Sequence, residues 1–144
     1  ELHLFVDRID ELSDGRRVVI DYKTGSITPK VWYGERPDDP QLPLYAVVSS
    51  PAPAAVAFAL VRTGNCGWCG TGSDPAALPG VKRTDDWEAQ LQEWQTTVHR
   101  LAQQYAAGVA DVDPSSRRVC ELCHLHALCR IEELQGERID EDEE

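Results

Sequence analysis

The sequence contains no uninterrupted apolar segment long enough to cross a membrane. Its longest apolar stretch, Val47 to Val61, is broken by serines and prolines, whereas a transmembrane helix needs about 20 consecutive apolar residues. Methionine is absent, and no basic segment followed by an apolar signal core opens the chain. We therefore expect a protein with no membrane partner, and we expect this chain to be a fragment of something longer.

Positive charge is scarce. The chain has 14 Lys and Arg against 25 Asp and Glu, a net charge of −11, which is unusual for a protein that binds nucleic acid. Residues 132–144 hold eight acidic residues and one arginine, so they carry −7 and leave −4 for the rest. Such a run is typical of a solvated tail. The total charge therefore neither supports nor excludes DNA as a partner.

The five cysteines are an odd number, and no secretory signal accompanies them. A disulfide-stapled extracellular scaffold is therefore excluded. The cysteines instead cluster as Cys66-x2-Cys69 and as Cys120-x2-Cys123-x5-Cys129. These spacings indicate metal or redox chemistry in a reducing compartment, and we expect a cytoplasmic location.

The length of 144 residues and the 42% hydrophobic content are typical of one globular domain. Alternation and β-branched residues predict strands over 2–12 and 16–23, joined at Ser13–Gly15. A helix is predicted to begin near Asp39, with Pro40 at its first position, and to end before Pro51. An Ala-rich strand over 54–62 and a Gly-rich loop over 63–83 are predicted to follow.

The clearest predicted helix covers residues 85–107, with Thr84 as its N-cap. Its apolar residues recur at steps of four and three, which places them on one stripe that packs against a core. They are Trp87, Leu91, Trp94, Val98, Leu101 and Tyr105.

The predicted hairpin decides which charged side chains meet. Asp21 and Lys23 are two residues apart on a strand and therefore share a face. A two-residue turn would place Asp7 on the opposite face. A three-residue turn with a left-handed Gly15 in its last position would pair Asp7 directly with Asp21.

Two neighbouring carboxylates repel each other unless a divalent cation lies between them. Carboxylate oxygens suit Mg²⁺ or Mn²⁺, which can activate a water for attack on a phosphate. Lys23 would polarise that water or stabilise the charge that builds on the phosphate. A solvated hairpin with ordinary surface charges is the alternative interpretation of Asp7, Asp21 and Lys23.

Three segments occur in an informative order: Val6-Asp7-Arg8-Ile9-Asp10, then Val19-Ile20-Asp21-Tyr22-Lys23-Thr24-Gly25, then Gln41-Leu42-Pro43-Leu44-Tyr45. Together they resemble the RecB-like branch of the PD-(D/E)xK nucleases. The resemblance implies an α/β, restriction-endonuclease-like fold, with a mixed β-sheet core flanked by α-helices. We assign residues 1–131 to this domain and 132–144 to an acidic tail.

The resemblance also implies roles for single residues. Asp7 and Asp21 are expected to bind Mg²⁺ or Mn²⁺ together with the backbone carbonyl of Tyr22, and Lys23 is the expected catalytic lysine. Gln41 and Tyr45 are expected to border the site and contact the DNA strand. These nucleases usually have an upstream helix carrying a His or Glu. His3 is too close to Asp7 to take that part, so we expect the helix to be missing and the isolated fragment to lose metal affinity or activity.

Asp10 is either a further acidic group near the site or a solvated strand end, and we favour the second interpretation.

The C-terminal cysteines admit two metals. Three thiolates with His124 or His126 could form a zinc site. The segment also resembles that of AddB-type helicase–nuclease subunits and of nucleases of CRISPR adaptation. That resemblance implies a structural [4Fe–4S] cluster held by Cys120, Cys123, Cys129 and a cysteine upstream of Glu1, and we prefer it. Cys66 and Cys69 are either ordinary loop cysteines or a substitute ligand pair, and redox catalysis by them is disfavoured.

The sequence therefore predicts a Mg²⁺-dependent deoxyribonuclease, an exonuclease rather than an endonuclease. We expect it to belong to a DNA repair or recombination helicase–nuclease, with a helicase domain or subunit as partner. Two alternatives remain: a non-catalytic DNA-binding or scaffolding module of the same fold, and a small zinc-binding interaction domain built on residues 120–129.

Overall fold

The computed structural model describes residues 3–74, 76–131 and 133. The chain divides into two compact units, Glu1–Gln103 and Gln104–Glu144. The predicted acidic tail lies outside the described residues apart from Glu133.

A five-stranded mixed sheet forms the centre of the first unit, with its strands arranged in the order of the chain. The outer hairpin and the pair β3–β4 are antiparallel, whereas β2–β3 and β4–β5 are parallel. This is the mixed sheet with flanking helices that the sequence predicts. The strands are β1 (Arg8–Glu11), β2 (Arg17–Lys23), β3 (Ala55–Leu60), β4 (Gly67–Gly72) and β5 (Val81–Arg83).

The helices vary widely in length. A short 3₁₀ helix covers Pro29–Trp32 between β2 and the first α-helix. None of the helices in the described part of the chain is long and apolar enough to cross a membrane. The α-helices are α1 (Gln41–Val48), α2 (Trp87–Ala106), α3 (Arg117–Glu121) and α4 (His126–Cys129).

The β1–β2 hairpin has the three-residue turn that brings Asp7 and Asp21 to one face. The backbone N–H of Leu12 donates to the carbonyl of Arg16 at 2.7 Å, which leaves Ser13 to Gly15 as the turn. Gly15 has φ 83°, a left-handed conformation that costs glycine little. The predicted register is therefore confirmed.

The sheet separates two apolar layers. On the front face, defined by Val19, Val56 and Phe58, residues of α1, α2 and the 3₁₀ helix complete a buried core that includes Trp32 and Trp94. The strands present smaller apolar side chains on the back face, and these form a second buried cluster. It includes Val18, Ile20, Ala55, Ala57 and Val81. The odd-numbered residues of β2 thus point towards the helices, and this orientation decides where Asp21 and Lys23 lie.

The predicted loop over residues 63–83 is wrong, because the structure forms β4 and β5 within it. Two of the glycines that suggested a loop, Gly70 and Gly72, are instead required by close packing of strands. A Cβ atom on Gly70 would lie 2.3 Å from the carbonyl oxygen of Val56, and one on Gly72 would lie 2.4 Å from the Cβ of Ala55. Glycine thus marks a close backbone approach here.

The start of α2 also differs from the prediction. Asp86 accepts a hydrogen bond from the backbone N–H of Ala89 at 2.9 Å and acts as the cap. Thr84 instead donates its N–H to the carbonyl of Gly72 and extends the contact between β4 and β5. The apolar stripe packs as expected at Trp94, which is buried, but not at Tyr105, whose side chain is exposed.

Candidate active site

Asp21 is a buried carboxylate in the interior of the sheet. It lies on β2, is 2% exposed, and pairs with Phe58 of the neighbouring β3. On the other side, the β1–β2 register continued by one residue places Asp7 opposite Asp21. Directly opposed side chains of antiparallel strands have Cβ atoms about 5 Å apart. The two carboxylates that the sequence predicts as metal ligands are therefore neighbours on the front face.

Asp7 is held by the hairpin itself. Its Oδ2 accepts a hydrogen bond from the backbone N–H of Tyr22 at 3.0 Å. The carboxylate is exposed to solvent although it borders the buried Asp21. One member of the pair is thus fixed in the fold, and the other remains accessible to an incoming ligand.

The electrostatic state of Asp21 follows from its position. Burial raises the pKa of this carboxyl above its usual value, and the charges of Asp7 and Asp39 add to that rise, whereas Lys23 opposes it. Its Oδ2 lies 3.0 Å from Lys23 Nζ as an ion pair but accepts no well-oriented hydrogen bond among the described residues. Asp21 therefore presents a buried oxygen with unused capacity to bind a cation.

Lys23 is surrounded by fixed partners. Its Nζ lies 3.0 Å from Asp21 Oδ2 and 3.0 Å from Asp39 Oδ2, and it donates to Gln41 Oε1 at 3.4 Å. The same atom stands 5.4 Å from the centre of the Phe58 ring. Burial by itself lowers the pKa of Lys23, but Asp39 and Asp21 outweigh it, and the net pKa is raised. Lys23 is thus a positioned ammonium ion.

Asp39 belongs to this group, although the sequence suggests for it only the start of a helix. Its Oδ2 pairs with Lys23 while its Oδ1 accepts the backbone N–H of Gln41 at 3.2 Å. One carboxylate thus orders both the first turn of α1 and the side chain of Lys23. The local signal is its position just before a helix, where Asp accepts free N–H groups. Nothing local points to its contact with Lys23.

Gln41 and Tyr45 lie on one face of α1, one turn apart, as predicted. Gln41 Nε2 donates to the hydroxyl of Tyr45 at 2.9 Å, and that hydroxyl donates to the backbone carbonyl of Phe5. Tyr45 is buried, whereas Gln41 is half-buried beside Lys23. The chain of hydrogen bonds connects the segment before β1 to the lysine. Contact of Gln41 and Tyr45 with DNA stays a prediction.

Asp10 lies apart from this group. It pairs with Val18 and therefore faces the back of the sheet, where Arg8 Nε contacts its Oδ1 at 2.6 Å. This position agrees with the interpretation of Asp10 as a solvated strand end. It also makes Asp10 a matched control for the carboxylates on the front face.

The carboxylate pair has the chemistry that a small divalent ion needs. Mg²⁺ is typically bound through one or two carboxylates, with water and substrate phosphate completing the shell. Asp7 and Asp21 supply two carboxylates, and Asp21 Oδ2 is an acceptor without a hydrogen bond among the residues described. Within the described residues, no three His, Cys, Asp or Glu side chains group as a ready-made metal site. The residues therefore fit Mg²⁺ or Mn²⁺ as a two-carboxylate site, and the carbonyl of Tyr22 stays a predicted third ligand.

The C-terminal cysteines lie in the second unit. Cys120, Cys123 and Cys129 all line one cavity of about 560 Å³, together with apolar residues. They do not meet as a three-ligand group among the residues that the structure places. The iron–sulfur cluster therefore stays a prediction.

Cys66 and Cys69 differ from each other. Cys69 belongs to β4 and packs against the front core, and burial raises the pKa of its thiol. A redox-active thiol requires the opposite shift, because the thiolate is the reactive form. Cys66 is exposed, and its thiol donates to the carbonyl of Arg62. Neither the raised pKa of Cys69 nor the hydrogen bond of Cys66 favours a reactive thiolate.

The sequence was compared with models of protein families. The model described as the PD-(D/E)XK nuclease superfamily matches residues 1–130. No curated protein and no solved structure matches the chain.

Proposed function

This chain belongs to the PD-(D/E)XK nuclease superfamily, and from that premise we propose that it hydrolyses phosphodiester bonds in DNA with a bound Mg²⁺ or Mn²⁺. The observation that carries the proposal is the buried Asp21. Its Oδ2 accepts no well-oriented hydrogen bond from the described residues, while Asp7 and Lys23 stand beside it. Burying a carboxylate is costly unless it is paired, and Lys23, which Asp21 shares with Asp39, offsets the burial only in part, since the pKa of Asp21 stays raised.

Asp7 and Asp21 would hold the metal, which when bound supplies a Lewis acid and lowers the pKa of water. Lys23 would then act as an ammonium ion. Asp39 and Asp21 raise its pKa and so favour the protonated form of Nζ. It would orient the attacking water and stabilise the charge that grows on the phosphate oxygens.

Asp39 and Gln41 would be positioning residues in this arrangement. They contact Lys23 Nζ from the N-terminus of α1, and Tyr45 holds Gln41 from one turn away. A flexible lysine held by several partners loses fewer conformations when the substrate arrives. Contact of Gln41 with the DNA strand would follow from its half-buried place beside Lys23.

The test is cleavage of an end-labelled linear DNA by the full chain, with Mg²⁺, with Mn²⁺ and with chelator. Asp21→Ala and Asp7→Ala are each expected to reduce cleavage by about 100-fold or more, the usual size for loss of a group that stabilises the transition state. Asp10→Ala is the matched control, since it removes a carboxylate from the back of the same hairpin. Thermal unfolding verifies that each variant folds. Full cleavage by folded Asp21→Ala would refute the proposal.

We further propose exonuclease action within a RecB-like helicase–nuclease of DNA repair or recombination. The three ordered sequence segments around Asp7, Asp21 and Gln41 support this proposal. Cleavage of linear and of closed circular DNA of equal length distinguishes an exonuclease from an endonuclease. An exonuclease degrades only the linear form, and equal degradation of both would contradict it. Co-purification of the full-length protein with a helicase subunit tests the partner.

The [4Fe–4S] cluster remains our proposal for Cys120, Cys123 and Cys129, which line a common cavity. Elemental analysis of the full-length protein decides the metal. Iron with acid-labile sulfide is expected, and one zinc per chain would favour the alternative Cys3His site with His124 or His126.

A further inference from the structure

We propose that a basic groove on the front face of the sheet, separate from Asp7 and Asp21, binds the sugar–phosphate backbone of a single nucleic-acid strand. The proposal deepens the nuclease function above and rests on it for the identity of the strand. The groove has the 3₁₀ helix on one side and strands β4 and β5 on the other, and encloses about 520 Å³. Its polar lining includes Lys30, Tyr33, Thr71, Lys82 and Thr84.

The charge of this groove is opposite to that of the whole chain. Lys30 and Lys82 line it and are exposed, and no carboxylate of the described residues lines it. Arg83 also borders the groove, but it pairs with Gly72, so its side chain leaves β5 on the back face. Neither lysine forms an ion pair in the part of the chain that the structure describes. In a chain of net charge −11, two such cations beside one cavity indicate an anionic ligand.

The carboxylates near the groove do not line it. Glu93 raises the pKa of Tyr33 less than the burial of that tyrosine does. Asp85 and Asp86 follow Thr84 in the chain but do not line the groove, and Asp86 accepts the backbone N–H of Ala89 at the start of α2. The two lysines therefore remain available to bind phosphate.

An aromatic side chain and hydroxyls complete the groove. The Tyr33 side chain is 38% exposed and packs against Trp94, with the ring centres 6.1 Å apart. Thr71 and Thr84 contact each other through their hydroxyls. Cations that follow a backbone, combined with an aromatic ring on which a base can stack, are typical of sites for single strands. This combination favours a single strand over a free phosphate.

The groove can share one strand with the carboxylate site. Lys82 pairs with Thr71, so both lie on the face that carries Asp21 and Lys23. Strand β5 is three strand-to-strand steps from β2, or about 14 Å at the usual spacing. The loop Thr24–Thr28 connects the two places along the chain, and its residues are exposed and uncharged except for the half-buried, apolar Ile27. A DNA strand cut near Asp21 would thus reach the groove within a few nucleotides.

The experiment measures binding and chemistry separately. Binding of labelled oligothymidylates of two and twelve nucleotides is followed by fluorescence anisotropy in chelator, where no cleavage occurs. The groove variant Lys30→Ala/Lys82→Ala is compared with the control Arg117→Ala/Arg118→Ala, which removes the same charge elsewhere. Hydrolysis of bis(p-nitrophenyl) phosphate with Mn²⁺ reports on the carboxylate site alone.

We expect the groove variant to bind the twelve-nucleotide strand about 10-fold more weakly. The logarithmic slope of its salt dependence is expected to fall by about 0.7 for each phosphate that the variant no longer neutralises. The control variant is expected to bind the twelve-nucleotide strand with a Kd within about 2-fold of the unaltered protein. The Kd of the groove variant for the dinucleotide is also expected to change less than about 2-fold. Hydrolysis of the reporter is expected to stay unchanged. Tyr33→Leu is expected to weaken binding without changing the salt slope.

Equal binding of the long strand by the groove and control variants, both shown to be folded, would overturn the groove. If the groove variant bound duplex DNA more weakly but bound the single strand as well as the unaltered protein does, the proposed single-strand site would also be overturned. If the reporter is not hydrolysed by the unaltered protein but the groove variant loses binding, the proposed hydrolysis fails while the groove stands.

Discussion

The two ends of the front face use charge in different ways. At the β1–β2 end, Lys23 is enclosed by Asp21, Asp39 and Gln41 at 3.0 to 3.4 Å. At the β4–β5 end, Lys30 and Lys82 are exposed and without ion pairs among the described residues. A charge fixed by several partners is suited to stabilising a transition state. Exposed cations on long side chains suit a backbone of regularly spaced phosphates. We therefore propose that the β1–β2 end of the face carries out the chemical step and that the β4–β5 end binds the strand.

The largest expected difference is in the chemical step. Lys23→Met removes the fixed ammonium, and we expect the rate of reporter hydrolysis to fall about 1,000-fold, the upper range for one electrostatic group. Removing both lysines of the groove is expected to leave this rate within about 2-fold. Steady-state rates with Mn²⁺ measure both. Equal losses in the two variants would mean that the ends do not differ in role.

The second prediction concerns the packing of the β4–β5 end. Gly70→Ala places a Cβ within 2.3 Å of Val56 O, and we expect a loss of about 1–3 kcal/mol in the free energy of unfolding, as for other overpacked sites. Gly25→Ala is the control, because a Cβ there meets nothing within 4 Å. Denaturant unfolding measures both. A Gly70→Ala protein as stable as the control would contradict the close approach of β3 and β4.

A smaller effect is expected from the hydrogen bonds behind Lys23. Tyr45→Phe removes the hydroxyl that Gln41 and Phe5 share, and we expect a loss of about 1 kcal/mol in stability. The rate should fall about 3- to 10-fold with little change in KM, because Gln41 is positioned less well. Tyr105→Phe, on an exposed side chain, serves as the reference. An unaltered rate in folded Tyr45→Phe would remove the positioning role.

The smallest prediction concerns pH. The pKa of Asp21 is raised by burial, so the ionised carboxylate is less favourable in the fold than in the unfolded chain. Its contribution to stability is therefore complete below the ordinary pKa of aspartate and is lost as pH rises through the raised value.

Without added metal, Asp21→Asn is thus expected to melt a few degrees higher than the unaltered protein at pH 7, and the gain should vanish towards pH 4. Calorimetry across this range measures it, with Asp38→Asn, an exposed carboxylate, as the control. A lower melting temperature for Asp21→Asn at pH 7 would show that the pairing of Asp21 with Lys23 outweighs its burial.

The two ends also differ in how well the sequence predicts them. At β1–β2, alternation, a left-handed glycine and the i, i+2 spacing of Asp21 and Lys23 are local signals, and they lead to the correct strands and register. At β4–β5, glycine resembles a loop residue, because what requires it is the backbone of a neighbouring strand. The sequence does not reveal Asp39 as a member of the site for a similar reason, since its contact with Lys23 joins residues 16 positions apart.

The sequence alone determined the superfamily motifs, the hairpin that brings Asp7 and Asp21 together, and the helix that carries Gln41 and Tyr45. These depend on periodicity and turn geometry, which act over a few residues. Only the tertiary structure decided that Asp21 is buried, that Asp39 completes the surroundings of Lys23, and that Lys30 and Lys82 line one groove. Burial and charge pairing arise from residues distant in the chain, so no local pattern can encode them.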